Sequence, residues 1–449
     1  MRDLSSAQLI SSVRRAVYPF HGGDHDLDPI LDLIGDARIV LLGEASHGTH
    51  QFYSQRAKIT QRLIEEKGFL AVAVEADWPD AYQLNRYVKS VGDGEEAIHA
   101  FRLFTRFPLW MWRNTVVLDF ISWLREHNER RDTGAPAVGF YGLDLYSLFG
   151  SMEAVIAYLD RVDPRAAARA RHNYSCFEQF APDSQTYGYW AGLGIGPSCE
   201  EAVIHELTDL RLHAQQYVDH GGALADDALF NAEMNAAVVK SAEEYYRQMF
   251  GGRVNTWNLR DQHMFQTLEA LMKHFEKQGH ERPKVVVWEH NSHLGDARAT
   301  EMNQIGELNV GQLVRQRWED EARLIGFTTD HGTVTAASEW DAPAERKVVR
   351  AALAGSYERL FHGIGIPDFF LNLREDNEAV YLLGKPLLER AIGVVYSPKT
   401  ERMSHYFYAR LPEQFDGIIH LDETRALEPI DVTSVWNRSE VPETFPVGV

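Results

Sequence analysis

The sequence predicts an α/β fold: a mainly parallel sheet flanked by helices, with a helical insertion and a smaller C-terminal α+β part. Three observations carry this expectation. Short, continuous apolar runs suited to strands buried on both faces alternate with helical patterns. Strand-like runs stop between about 150 and 280, where alanine-rich stretches follow helical spacing. Beyond about 330 the strands become shorter and turn-rich, as antiparallel pairs do. The chain divides accordingly into 1–149 (N-terminal part of the α/β core), 150–280 (helical insertion), 281–330 (return to the core) and 331–449 (smaller C-terminal part).

Arg38 to Glu44 reads as the first strand, and 50–66 as a helix with Phe52, Ile59, Leu63 and Ile64 on one side. Gly68 stops that helix. Leu70 to Glu75 is a second buried strand, and Pro79 opens a helix over 78–89. A tryptophan-rich helix is expected over 109–130, then a third strand from Val138 to Asp144. The loop Gly192 to Pro197 interrupts the helical insertion. Lys284 to Trp288 and Leu324 to Thr329 resume the parallel pattern. One helix near 346–354 follows, with late strands at Ala391 to Val395 and Gly417 to Leu421.

The 449 residues, 45% hydrophobic and 24% charged, suit a globular protein with a large core. A formal net charge of −20 argues against a nucleic-acid partner, since phosphates are met by clustered Lys and Arg. No apolar run approaches the roughly 20 residues that span a bilayer, and the N-terminus lacks the apolar core of a signal peptide. Two cysteines, Cys176 and Cys199, are too few for a disulfide framework, and neither has metal-ligand spacing. A cytoplasmic protein acting on a small molecule is the expectation.

The chemistry gathers at strand ends. Glu44 with His47, then Glu75, Asp144, and His290 with His293 each follow a buried run. In a parallel sheet these ends share one edge, where ligands bind. An acid at a strand end taken singly reads as a helix cap or a surface group. Recurrence after every convincing strand points instead to one cleft. Arg56, on the stripe Phe52, Arg56, Ile59, Leu63, faces inward, as does Arg260 on the stripe Trp257, Arg260, Met264, Leu268, Leu271. A buried cation needs an anion, either a structural carboxylate or a substrate group.

Histidine is the usual general base near neutral pH, and a neighbouring carboxylate orients it. His47 with Glu44 fits that pairing. Ser46 lies in no Gly-x-Ser-x-Gly elbow, so an activated water is favoured over an acyl-enzyme. His290, His293 and the arginines are candidate oxyanion stabilisers. The rival reading is a divalent metal such as zinc or manganese held by Glu44, His47, Glu75, His290 and His293. The spacing differs from the helical His-Glu-x-x-His of zinc proteases.

These motifs resemble the erythromycin esterase family: Leu42-Gly43-Glu44-Ala45-Ser46-His47, Arg56, Glu75, Arg260 within Arg-Asp-Gln-His-Met, His290-Asn291-Ser292-His293, and Phe415-Asp416-Gly417-Ile418. The resemblance covers nearly the whole chain. It implies an α/β core with a helical insertion and hydrolysis of the macrolactone ester of 14-membered macrolides, an antibiotic-resistance activity. It further implies His47 as general base, Glu44 as its support, and Glu75, Arg56, Arg260, His290 and His293 around the reaction centre, with no cofactor. Relatives of the succinoglycan-biosynthesis type make a different ester, or a biosynthetic role, the alternative. The aromatic segment Phe101 to Trp123, with Trp110 and Trp112, is expected to be either pocket wall or helical core.

Overall fold

In chain order the strands are β1 (Val17–Pro19), β2 (Ile39–Leu42), β3 (Ala71–Asp77), β4 (Gly139–Asp144), β5 (Val285–Trp288), β6 (Ala322–Thr328), β7 (His331–Ala336), β8 (Glu345–Val349), β9 (Asp368–Asn372), β10 (Leu387–Arg390), β11 (Tyr406–Ala409), β12 (Gly417–Leu421) and β13 (Glu423–Thr424). The computed structural model describes residues 6–91, 96–132, 134–181, 183–194, 198–221, 225–250 and 253–437. The principal sheet has eight strands in the order β1-β9-β12-β6-β2-β5-β3-β4. Every pairing from β12 to β4 is parallel, and β9 pairs antiparallel with both β12 and β1.

The apolar runs behave as a sheet covered on both faces requires. Successive side chains point to opposite faces. Val40, Leu42, Val72, Val74, Val286 and Trp288 therefore enter one core cluster. Ile39, Leu41, Ala71, Ala73, Val285 and Val287 enter the other. Each large apolar side chain so buried contributes about 1.5–3 kcal/mol. The helix His50–Lys67 returns over the first face and ends at Gly68 in the left-handed region, φ 68°, a conformation glycine adopts without a Cβ penalty.

Between β4 and β5 the chain runs through helices from Leu148–Val162 to Arg253–Lys277. They build a core of their own around Phe177, Tyr187, Ala236 and Val239. Arg253–Lys277 also sends Met264, Leu268 and Leu271 into the second sheet core, which ties the helical segment to the sheet. Cys176 and Cys199 form one disulfide within this segment, their Cα atoms 6.0 Å apart. The remaining strands form two small C-terminal sheets, β13-β7-β8 and β10-β11.

Several local expectations change. The tryptophan-rich helix starts at Thr115, not near 109: the Asn114 side chain accepts the Val117 amide and caps it, and Leu109–Met111 is a separate short turn. Residues 346–349 belong to β8, antiparallel to β7, and the nearby helix is Tyr357–His362. Lys347 and Val349 point inward while Val348 is exposed, a period of two rather than 3.6. Ala391 to Val395 is no strand; it makes isolated bridges, Ile392 to Ser46 and Val395 to Ala337. Ile195 to Pro197 of the expected loop lie outside the described residues.

The turn after β2 is packed against β7. A Cβ on Gly48 would fall 1.8 Å from the Thr335 carbonyl oxygen, and the Thr335 amide donates to the Gly48 carbonyl at 2.9 Å. Backbone cannot retreat cheaply from such an overlap. Gly48→Ala is expected to destabilise by about 3 kcal/mol, the upper end of ordinary overpacking costs. Urea unfolding measures this, and an unchanged midpoint would contradict it.

Candidate active site

β2 stops at Leu42, and the next residues turn across the carboxyl edge of the sheet. Gly43 lets the Asn291 side chain pass: a Cβ there would lie 2.1 Å from Asn291 Oδ1. Asn291 Nδ2 donates to the Phe327 carbonyl at 2.7 Å, and the Asn291 amide donates to the Glu44 carbonyl at 2.8 Å. The ends of β2, β5 and β6 are thus laced together.

Glu44, His47 and Arg56 form one unit. Glu44 Oε1 lies 2.8 Å from His47 Nδ1, and its Oε2 accepts from Arg56 Nη2 at 2.7 Å. Glu44 is 1% exposed, Arg56 0% and His47 7%, so only the imidazole reaches open space. The Arg56 guanidinium also lies 4.3 Å from the Tyr53 ring centroid and 5.2 Å from that of Trp288. Tyr53 donates its hydroxyl to the His47 carbonyl at 2.9 Å and holds the loop. Ser46 points elsewhere: its Oγ is hydrogen-bonded to Thr49 Oγ1.

A second unit surrounds Arg260. The β3–β4 register shifts between Val74 and Asp77, and such an irregularity re-aims the side chains beside it. Glu75 Oε1 accepts from Arg260 Nη2 at 2.7 Å, and Oε2 accepts from the His290 amide at 2.9 Å. Asp144 takes Arg260 Nε at 3.0 Å and Nη2 at 2.6 Å. Arg260 Nη1 stands 3.0 Å from His293 Nε2. Burial penalises the Glu75 charge, yet His293, Arg260 and His47 outweigh it and hold the carboxyl below its ordinary range. Asp144 is likewise lowered against burial, chiefly by Arg260.

The two later histidines differ in kind. Burial and the neighbouring His47 push His290 well below the usual imidazole value, so it is neutral. The Ser292 amide donates to His290 Nδ1 at 3.2 Å, which leaves the ring proton on Nε2. The His47 and His290 ring centroids are 4.8 Å apart. Burial also opposes a charge on His293, but Asp261 and Glu75 more than compensate and raise it. Both Asp261 oxygens lie 3.0 Å from His293 Nδ1, and Trp257 stacks on the ring at 4.4 Å.

All seven residues expected at the site are joined in this way. His47, Glu75, Arg260, His290 and His293 line a cavity of about 500 Å³, together with Asp144, while Glu44 and Arg56 stand behind His47. That size suits a drug-sized ligand. The aromatic segment contributes both wall and core: Phe104, Phe107, Met111 and Trp112 line the cavity, and Trp110 packs into the first core cluster.

Sequence reasoning missed Asp261, Asp77, Asp80 and Arg106. Asp261 was within reach as the neighbour of Arg260 in Arg-Asp-Gln-His-Met. Asp77 accepts from Arg106 Nε at 2.8 Å. Burial and the Asp77 charge push Asp80 up to about 8, which puts a largely protonated carboxyl in the cavity wall near neutral pH. No motif marked it, because its shift arises from enclosure.

Fold and site define an α/β protein with a histidine–carboxylate–arginine centre at the carboxyl edge of a parallel sheet. The chain belongs to the erythromycin esterase family, whose model matches residues 64–424. It is 23% identical over 436 residues to an erythromycin esterase type II of Escherichia coli, covering 90% of this chain and 94% of that protein. Among solved structures, a succinoglycan biosynthesis protein superposes with a TM-score of 0.74 at 20% identity, covering 95% of this chain and 100% of the other. An erythromycin esterase mutant in its open conformation gives a TM-score of 0.65 at 17% identity, covering 90% and 95%.

Two outcomes follow from the charges. Arg56→Met leaves Glu44 buried without its guanidinium and is expected to cost about 3–5 kcal/mol in urea unfolding. The raised His293 pKa contributes stability that is fully present below about pH 6.5 and lost as pH rises through the folded-state value. Asp261→Asn removes the main support of that shift. Its destabilisation should therefore be larger near pH 6 than near pH 9, and equal losses at both would refute the assignment.

Proposed function

We propose that the chain is a carboxylic ester hydrolase that opens the macrolactone ester of 14-membered macrolides with a water activated by His47. One observation carries the reading: His47 alone of the Glu44–His47–Arg56 unit reaches the cavity, with Nδ1 engaged by Glu44 and Nε2 left to take a proton. Glu44 sets the tautomer and steadies the imidazolium, and Arg56 holds Glu44 in place through its hydrogen bond to Oε2. The water oxygen adds to the lactone carbonyl as its proton passes to His47 Nε2. The acyl–oxygen bond then breaks, and His47 returns the proton to the departing alkoxide. His290, neutral with its proton on Nε2, and Arg260 are placed to stabilise the oxyanion. Phe104, Phe107, Met111 and Trp112 supply apolar wall for a large substrate.

The alternative metal site at Glu44, His47, Glu75, His290 and His293 is less well supported. Both carboxylates take a guanidinium, Glu44 from Arg56 and Glu75 from Arg260, so a fixed positive charge already lies against each oxygen donor. A different ester or lactone in the same cavity is the reading to hold if macrolides fail.

The test is mass spectrometry of erythromycin and related 14-membered macrolides incubated with purified protein. A gain of one water is expected, carrying ¹⁸O when the solvent does. His47→Ala should lower kcat/KM by about 10²–10⁴-fold, the range of general-base catalysis. No turnover of any 14-membered macrolide would refute the substrate, and full activity in His47→Ala would refute the mechanism.

A further inference from the structure

β6 and β12 are parallel neighbours, with Thr328 opposite His420, so both leave the sheet at the edge that carries the candidate active site. β6 lies on the far side of β2 from β5. Asp330 follows β6 and Asp422 follows β12. The amides of Asp330 and His331 both donate to the Asp422 carbonyl, at 3.2 and 3.1 Å, which locks the two segments together. His331 opens β7, and His362 ends the helix Tyr357–His362.

One donor atom from each of Asp330, His331, His362 and Asp422 lies within 4.8 Å of all the others, and among the described residues no other group of His, Cys, Asp or Glu does this. His331 Nδ1 is 3.1 Å from Asp330 Oδ2, His362 Nδ1 is 3.8 Å from the same oxygen, and His362 Nδ1 is 2.9 Å from Asp422 Oδ1. Four ligands about 2.0–2.2 Å from a tetrahedral ion stand about 3.4 Å apart. These three separations bracket that value and no pair exceeds 4.8 Å, so closure must draw no two donors together by more than about 1.4 Å.

Supporting contacts resemble those that orient metal ligands. His420 is fully buried; its Nδ1 lies 2.9 Å from Thr328 Oγ1 and its Nε2 lies 3.3 Å from Asp422 Oδ1. Arg359 Nη1 lies 3.2 Å from both Asp330 oxygens, but among the described residues Asp422 pairs with His362 and His420 rather than with an arginine, so unlike the active-site set one oxygen donor faces no fixed cation. Asp330, His331 and His362 line a surface recess, which gives an ion access.

We propose that Asp330, His331, His362 and Asp422 bind one divalent transition-metal ion of the zinc class, apart from the candidate active site. Two imidazoles and two carboxylates are a donor set that suits zinc. Binding would replace the imidazole–carboxylate hydrogen bonds with bonds from Nδ1 and the carboxylate oxygens to the ion. The ion would pin the start of β7 to the ends of β6 and β12. β7 carries Thr335, whose amide holds the Gly48 carbonyl next to His47.

The test titrates chelator-stripped, full-length protein with zinc chloride by calorimetry, and with cobalt(II) as a visible-absorbing probe of four-coordinate geometry. One zinc per chain is expected. His331→Gln/His362→Gln should weaken binding more than about 100-fold, beyond the loss of an outer partner. His47→Ala should bind zinc as the parent does. Absence of saturable binding at one equivalent, unchanged affinity in the double variant, or loss in His47→Ala would each overturn the proposal. Zinc-edge anomalous scattering from a soaked parent crystal tests the location without a variant: a peak among these four residues supports it, and a peak elsewhere or none overturns it.

Discussion

The Arg56–Glu44 ion pair is the constraint on which the rest of the centre depends. Placing two full charges where neither meets solvent is costly, and only close mutual contact with further partners offsets the cost. Here the guanidinium meets the carboxylate at 2.7 Å and two aromatic faces, and the carboxylate spends its other oxygen on His47. The helix His50–Lys67 must therefore return over the sheet in one register, with Arg56 above the end of β2. A rotation by one residue would carry the guanidinium away from Glu44 and strand both charges.

Arg260 plays the matching part for the other half of the cavity. It joins β3 through Glu75, β4 through Asp144, and the loop after β5 through His293. Since Arg260 comes from the long helix Arg253–Lys277, this cluster also couples the helical segment to the sheet edge. The resulting field separates the histidines: His290 is kept neutral by burial and its neighbour, while Asp261 and Glu75 favour the proton on His293.

The six parallel strands were legible because each is a short apolar run covered on both faces, whereas β1 and β9 were not read, and the inward arginines were legible because each sits on an apolar helical stripe. The misread segments have local reasons. Leu109–Met111 carries helix-like apolar spacing, but Asn114 caps a new helix and separates it. The segment 345–349 alternates over only five residues, too few to oppose a helical reading, and its partner β7 decides its state. Asp80 carries no sequence mark of its own, and Asp261 only its place beside Arg260. Asp80 owes its raised pKa to burial beside Asp77, and Asp261 its role to the packing of its helix on His293.

What the sequence by itself determined is the six strands of the parallel part of the sheet, the inward arginine stripes of two helices and the residue types gathered at strand ends, because apolar periodicity and the cost of burying charge act locally. Tertiary structure alone decided the strand order, and with it which ends are neighbours. β12, remote in sequence, lies beside β6, so Asp422 meets Asp330; β5 lies between β2 and β3, so His290 meets both His47 and Glu75. Parallel pairing joins segments through crossovers that carry no pattern naming their partner, and only the packing of the whole chain selects it.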